Sequence, residues 1–162
     1  MRSHFAFIGA ALFALTLPTA AAAAKPDPSG LDYFTGTWHC MGKNTMRKGQ
    51  HPFTLAYSYD LNHTWQKQVT TGRTSGLGYA TYDAAAKHFI FLGLDASGDY
   101  GMSTSPGWVG NTLTITDTND SQGNLGVLKV VKAGPSSTTY SYTGHSKAGK
   151  TYSGSGACTK GA

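Results

Sequence analysis

The stretch from Leu31 to Lys43, which reads LDYFTGTWHCMGK, decides the fold of this chain. It opens with a short apolar cluster that ends at Gly36, and an alternating run follows. One face of that run carries Trp38, Cys40 and Gly42, and the other face is mainly polar. A period of two residues is typical of a β-strand with one buried face. We therefore expect a first strand here, with a tryptophan on its inner side.

The last alternating run of the chain, Thr151 to Lys160, reads TYSGSGACTK and matches the first strand. If the two runs pair antiparallel, a single register places three compatible pairs on one face. These pairs are Cys40 with Cys158, Gly42 with Gly156, and Trp38 with Lys160. Only a closed sheet pairs its first strand with its last. The register therefore predicts a barrel that is sealed by a disulfide bond.

The tripeptide that contains Trp38 resembles the G-x-W that begins the first strand of the calycins. These are the up-and-down barrels of lipocalins, fatty-acid-binding proteins and nitrobindins. The resemblance implies that Trp38 plugs the closed end of the barrel. It also implies that Lys160 lies across the tryptophan ring as a cation.

Two further segments are similar to a bacterial family of secreted, calycin-like proteins that has no assigned activity. The segments read GYATYDAAAKHFIFLGLDASGDYG and PGWVGNTLTITD. Its G-x-W, G-Y-x-x-Y-D and W-x-G-x-x-L-T motifs correspond here to Gly36, Trp38, Gly78, Tyr79, Tyr82, Asp83, Trp108, Gly110, Leu113 and Thr114. These are turn and core positions, so the resemblance implies a fold and no chemistry.

The remaining chain reads as short strands separated by turn residues. We expect an all-β fold, namely a single antiparallel up-and-down barrel of about ten strands. A helical turn initiated by Asp27 or Ser29 precedes the first strand. A two-sheet sandwich has similar strand spacing. The register that joins Cys40 to Cys158 favours the barrel.

The N-terminal region predicts export from the cytoplasm. Arg2 and His4 precede an apolar stretch, and small residues that suit cleavage follow it, so residues 1–24 are typical of a signal peptide. Residues 25–30 form a flexible lead, and residues 31–162 form the barrel domain. We expect a periplasmic or secreted protein in which the two cysteines pair. No mature segment has the ~20 apolar residues of an integral membrane span.

The charge pattern does not favour a nucleic-acid partner. The net charge is +5, but the basic residues are scattered singly rather than clustered with aromatic residues. All eight acidic residues are aspartates, and most of them lie at predicted turns, where turn chemistry explains them. The sequence does not indicate an oligomeric state.

No motif for catalysis or metal binding is present. The histidines lack metal-ligand spacing, and only His51 and His63 could approach each other at one rim. Nitrobindins bind haem through a histidine late in the chain, and His145 is the late candidate here. Alternation turns His145 outwards unless a bulge at Gly144 reverses it. We therefore expect no metal and no cofactor, with haem as a remote alternative.

The interior is the feature most relevant to function, because a ten-stranded barrel is wider than side chains readily fill. Alternation places Trp65 and Val69 inside, together with many tyrosines. The predicted ligand-binding residues are Tyr57, Tyr59, Trp65, Tyr79, Met102, Tyr140, Tyr142, Tyr152, Gly42 and Gly156. Tyrosine-rich walls beside small glycines suit an apolar or amphipathic molecule.

The sequence thus favours an exported, non-catalytic barrel that binds a small apolar molecule. One alternative is a filled barrel with a structural or interaction role in the cell envelope. A haem-binding protein and an enzyme without a recognisable motif are further alternatives.

Overall fold

The computed structural model describes residues 26–73 and 75–161, so the predicted signal peptide lies outside the described residues. A 3₁₀ helix at Ser29–Phe34 comes first and eleven strands follow. The strands are β1 (Gly36–Asn44), β2 (Arg47–Asp60), β3 (Trp65–Gly72), β4 (Gly76–Asp83), β5 (His88–Asp95), β6 (Tyr100–Ser105), β7 (Trp108–Val109), β8 (Thr112–Asp120), β9 (Leu125–Gly134), β10 (Ser137–His145) and β11 (Thr151–Lys160).

The strands form one closed antiparallel barrel. Their order is β6-β5-β4-β3-β2-β1-β11-β10-β9-β8, and β6 pairs with β8 to complete the ring. The two-residue β7 pairs with β8 beside the ring, so ten strands make the wall. This arrangement confirms the predicted fold class.

The seam between β1 and β11 has the predicted register. Cys40 lies opposite Cys158, Gly42 opposite Gly156, and Trp38 opposite Lys160. The two cysteines form a disulfide with an S–S distance of 2.05 Å. The first and last strands are therefore joined both by the hydrogen-bond ladder and by a covalent bond.

Trp38 plugs one end of the barrel. Its side chain is 1% exposed, and its Nε1 donates a hydrogen bond of 2.6 Å to the carbonyl oxygen of Phe34. The Lys160 Nζ lies 5.5 Å from the centre of the tryptophan ring. The 3₁₀ helix lies over the same end, where it buries Leu31 and Phe34. We refer to this end as the closed end.

Hydrogen bonds fasten the helix to the barrel. The Tyr33 hydroxyl donates to the carbonyl oxygens of Gly134 and Ser137, at 2.9 and 2.6 Å. Gln66 on β3 donates through Nε2 to the carbonyl oxygen of Leu31, at 3.0 Å. Because these contacts come from opposite sides of the ring, they hold the helix across the closed end.

The hydrophobic core occupies the closed end rather than the whole barrel. Leu31, Phe34, Ala80, Phe89, Leu113 and Val130 form one buried cluster, and Trp38 forms a second cluster with the disulfide. Tyr33, Tyr57 and Tyr140 pack against both clusters. The buried clusters therefore do not fill the interior at the other end of the barrel.

On strands β3 to β6, most of the residues that face the interior are not the apolar ones that alternation predicts. Gln66 is 3% exposed, whereas Val69 and Met102 are each 39% exposed. The Trp65 ring contacts the Tyr79 ring at a centroid distance of 6.4 Å, on the outer face of the sheet. The prediction that Trp65, Val69 and Met102 point into the barrel is therefore wrong, whereas Tyr79 borders the cavity.

The cause is the chemistry of the inward positions on these strands. Gln66, Ala80, Phe91 and Ser103 are cross-strand neighbours that face the interior. Because much of this inner face is small or polar, the alternation of apolar residues marks the outer face instead. The outer face carries a row of cross-strand neighbours, namely Val69, Leu77, Leu94 and Tyr100.

Candidate functional site: the barrel cavity

The barrel interior beyond the core contains a cavity of about 570 Å³. It begins at Phe34 and Trp38 beneath the helix and extends to Tyr142 and Gly101 near the other end of the strands. Gly93 at that far end is exposed, so solvent reaches the cavity there. We refer to this far end as the mouth.

Aromatic side chains form one side of the cavity. The wall includes Phe53 and Tyr57 on β2 and Tyr140 and Tyr142 on β10. The Tyr57 ring stacks on Phe34 at 5.4 Å, and burial raises the pKa of its hydroxyl. Burial also raises the pKa of Tyr140, and the nearby Tyr142 contributes to that rise. Both hydroxyls are therefore neutral hydrogen-bonding groups at physiological pH.

The glycines of β1 and β11 support these tyrosines and do not widen the cavity. A Cβ atom on Gly156 would lie 2.6 Å from the Tyr140 hydroxyl, and a Cβ on Gly42 would collide with the same hydroxyl. A Cβ on Gly154 would lie 2.5 Å from the Tyr142 ring. The tyrosine rings thus occupy the space that the glycines provide.

Replacing Gly156 with leucine is therefore expected to destabilise the barrel. The new side chain would meet the Met41 carbonyl oxygen as well as Tyr140, and overpacking of this kind costs about 1–3 kcal/mol. Urea denaturation measures the loss. Gly93→Leu is the matched control, because a Cβ there has nothing within 4 Å. Equal denaturation midpoints for the two variants would contradict the packing described here.

On the opposite side of the cavity, the part nearest the mouth is lined by four glycines. Gly78 on β4, Gly93 on β5 and Gly101 on β6 are direct cross-strand neighbours, and all three line the cavity together with Gly76. A Cβ on Gly93 would meet open space, and a Cβ on Gly78 or Gly101 would make only ordinary contacts of 3.4 Å or more. We call these four residues the glycine wall.

A few polar groups complete the interior. Gln68 Nε2 donates to the Thr70 hydroxyl at 3.0 Å, and the Ser103 hydroxyl donates to Asp117 Oδ1 at 2.7 Å. Gln68, Thr70 and Ser103 all line the cavity. Together with the tyrosine hydroxyls, they offer hydrogen-bonding groups on a wall that is mainly apolar.

A smaller cavity of about 230 Å³ adjoins the mouth. It shares Phe53, Thr70, Tyr140 and Tyr142 with the main cavity, and it adds Lys43, His51 and Arg73 to the lining. The His51 Nε2 atom is buried and has no hydrogen-bond partner. The mouth therefore has basic side chains and one unsatisfied ring nitrogen.

The structure gathers only some of the ligand-binding residues that the sequence predicts. Tyr57, Tyr140 and Tyr142 line the main cavity. Tyr79 borders the cavity at the glycine wall, but its hydroxyl donates to Asp60 on the outer side at 3.3 Å. Gly42 lines the smaller cavity at the mouth.

The other predicted residues lie elsewhere. The Tyr59 ring contacts His63 at 5.0 Å beside the β2–β3 turn, and the Tyr152 ring packs against Tyr142 at 6.1 Å. Gly156 lies beneath Tyr140. Trp65 and Met102 belong to the outer face. The glycine wall and the inward glutamines were missed, although glycines alternating with leucine and tyrosine on β4 could have indicated a strand with a bare face.

The histidines do not form a metal site. His51 lies at the mouth, whereas His63 lies in the turn after β2, so the strand length of β2 separates them. Within residues 26–73 and 75–161, no group of three or more potential ligands of the His, Cys, Asp or Glu types comes together. The ladder runs through Gly144 without a bulge, and His145 is exposed, away from the cavity.

No protein-family model matches the chain, and no curated protein matches its sequence. Among solved structures, the chain is similar to a protein of unknown function of the DUF3598 family from Nostoc punctiforme, with a TM-score of 0.49 and 12% identity. The alignment covers 90% of this chain and 54% of that one, so the chain spans about half the length of that protein.

Proposed function

We propose that this protein binds a small, mainly apolar molecule inside its barrel and performs no chemistry on it. The observation that carries the proposal is the cavity of about 570 Å³ between the core and the mouth. Ligand pockets typically have volumes of about 300–1,000 Å³ and combine apolar walls with a few placed polar groups. The cavity has that size and that composition.

The distribution of the core supports binding over a purely structural role. A filled barrel needs side chains along its whole length, whereas the buried clusters here gather at the closed end. At the mouth end, Gly78, Gly93 and Gly101 leave space that a larger side chain could occupy without collision, whereas a Cβ on Gly76 would lie 3.0 Å from the Leu94 carbonyl oxygen. The protein's own side chains leave this part of the interior unfilled, so a bound molecule could occupy it.

The lining residues give no support to catalysis. General acid–base catalysis uses a positioned histidine, carboxylate, lysine or similar group. Among the described residues, those that line the main cavity include no histidine, aspartate, lysine or arginine, and the lining Cys158 is held in the disulfide. Tyrosines do line the cavity, but burial raises the pKa of Tyr57 and Tyr140 further from neutrality. The proposal is therefore a binding function.

We also propose that the protein acts outside the cytoplasm. The signal peptide predicted at residues 1–24 and the bond between Cys40 and Cys158 both favour an oxidising compartment. Within the described residues, no helix is long and apolar enough to cross a membrane.

Titration with Nile red, an uncharged apolar dye, tests the binding function. We expect saturable binding with a one-to-one stoichiometry. Leu128 lines the cavity, so Leu128→Trp should reduce the volume and weaken dye affinity about tenfold, which corresponds to about 1.4 kcal/mol. Fluorescence of the dye and circular dichroism of each variant are the measurements.

The matched control is Val131→Trp on the same strand, because Val131 is exposed on the outer face. We expect it to bind the dye as the unmodified protein does. If Leu128→Trp does not fold, Ile115→Phe provides a second change in the cavity lining. Absence of saturable binding to the folded wild-type protein would overturn the proposal.

A further inference from the structure

We infer that the ligand is a planar aromatic molecule with an anionic group, held flat between the glycine wall and the tyrosines, with its charge at the mouth. The inference rests on the proposed function and specifies the class of ligand. It depends on the shape of the main cavity and, independently, on the groups that line the mouth.

The glycine wall makes one side of the cavity flat. Gly78, Gly93 and Gly101 follow one another across three adjacent strands, which gives a bare strip roughly 9–10 Å wide. Glycine within a strand often marks a place where another group approaches the backbone closely. Here nothing in the described chain comes within 4 Å of a Cβ built on Gly93, so the space above this glycine is open to a ligand.

Aromatic rings form the side across from the glycine wall. In the ring order, β10, β11 and β1 lie five strands away from β4, β5 and β6, respectively. Tyr140 and Tyr142 lie against the glycines of β11 and line the same cavity as the glycine wall. Aromatic faces prefer offset stacking on other aromatic rings. A space bounded by backbone on one side and by tyrosine rings on the other favours a planar molecule over a branched one.

The side of the mouth formed by β1 to β3 favours a negative charge, whereas Asp117 and Asp120 lie on the β8 side of the same end. Lys43, His51 and Arg73 line the smaller cavity, and no acidic side chain is among its described lining residues. The buried His51 Nε2 has no hydrogen-bond partner, and an unsatisfied buried polar atom costs about 1–3 kcal/mol. An anionic oxygen at this position would accept a hydrogen bond from His51 and would pair with Arg73. Because Tyr140 and Tyr142 line both cavities, one ligand can reach both regions.

Calorimetric titration with three probes tests the inference. Pyrenecarboxylate is planar and anionic, pyrenemethanol is planar and uncharged, and dodecanoate is anionic with a flexible chain. We expect pyrenecarboxylate to bind about tenfold or more tightly than either of the other probes. Binding of dodecanoate as tight as that of pyrenecarboxylate would overturn the planar ligand but leave the proposed function standing. Equal affinity for pyrenecarboxylate and pyrenemethanol would overturn the inference that the ligand is anionic. If neither the three probes nor Nile red binds, both the ligand class and the proposed binding function are overturned.

Variants then assign the effect to each region. Gly93→Leu should weaken pyrenecarboxylate binding about tenfold and change dodecanoate binding less than about twofold. His51→Gln and Arg73→Gln should weaken pyrenecarboxylate without changing pyrenemethanol. Lys67→Gln on β3 is the matched charge control and should leave all three affinities unchanged. If Gly93→Leu does not fold, Gly78→Ala provides a smaller change in the same wall. Equal loss of pyrenecarboxylate affinity in Lys67→Gln and Arg73→Gln would overturn the assignment of the anion to the mouth.

Discussion

Replacing Trp38 with alanine is expected to lower the free energy of unfolding by about 3–5 kcal/mol, the range for a large aromatic residue removed from a core. Trp38 is 1% exposed, and its ring lies between the disulfide, Tyr33 and the Lys160 side chain. Its removal would leave a void and would also deprive the Phe34 carbonyl oxygen of its hydrogen-bond donor. Urea denaturation followed by circular dichroism measures the loss.

Trp65→Ala is the matched control for this variant. Trp65 is half-buried on the outer face, where its ring contacts Tyr79, so we expect a clearly smaller loss. The contrast separates the role of Trp38 from the general cost of losing a tryptophan. If the two variants had equal denaturation midpoints, or if Trp38→Ala unfolded like the wild-type protein, Trp38 would not be the plug.

Removal of the disulfide is the second change with a large expected effect. Cys40 and Cys158 are 118 residues apart, and a covalent loop of this length restricts the unfolded chain by about 4–5 kcal/mol. We expect the double variant Cys40→Ala/Cys158→Ala to lose stability of this order. Both positions are buried, and replacing both avoids leaving an unpaired thiol. Urea denaturation of the oxidised wild-type protein and of the double variant measures the difference.

The wild-type protein after reduction is the control, because it loses the covalent loop but keeps both side chains. Its denaturation midpoint should move towards that of the double variant. Non-reducing peptide mapping should recover the segments that contain Cys40 and Cys158 as one cross-linked species. A midpoint that reduction does not change would contradict a stabilising role for the bond.

The sequence was sufficient to predict the seam but not the interior. At the seam, Trp38, Cys40 and Gly42 meet Lys160, Cys158 and Gly156, and a shift of one residue would separate every one of these pairs. Chemistry therefore specified the register. The predicted helical turn before β1 is present and buries Leu31 and Phe34, but Pro28 rather than Asp27 or Ser29 is its N-cap, and no side chain caps it.

For β3 to β6, alternation of apolar residues predicted the wrong face of the sheet as the inner one. This prediction assumes that apolar residues face the interior, but β3 presents Gln66 and Gln68 to the inside and Val69 to the outside. The correct face follows from how each strand pairs with its neighbours, as Gln66 pairs with Ala80 and Ala80 with Phe91, and the alternation within one strand does not specify it. The cavity was anticipated from the barrel size, whereas the glycine wall depends on this register and could not be located from one strand alone.

The roles of the glycines illustrate a related limit. Gly156 and Gly93 look alike in the sequence, because each lies in a short strand with small or apolar neighbours. In the structure a tyrosine ring lies on Gly156, while nothing lies within 4 Å of a Cβ on Gly93. One glycine accommodates an internal side chain and the other leaves a vacancy. The difference arises from side chains on other strands, which local patterns do not specify.

The pairing of β1 with β11 also determines the order in which the chain can fold. The ring closes only when the last strand reaches the first, so the contact most distant in sequence completes the barrel. Chains dominated by such distant contacts fold slowly, and until closure the outer edges of β1 and β10 have unpaired backbone groups that can join another chain. We therefore expect a chain that ends before β11 to associate with its own copies rather than to form a smaller stable barrel. When β11 pairs with β1 and β10, both open edges of the sheet are covered, and the new protein can no longer associate through them.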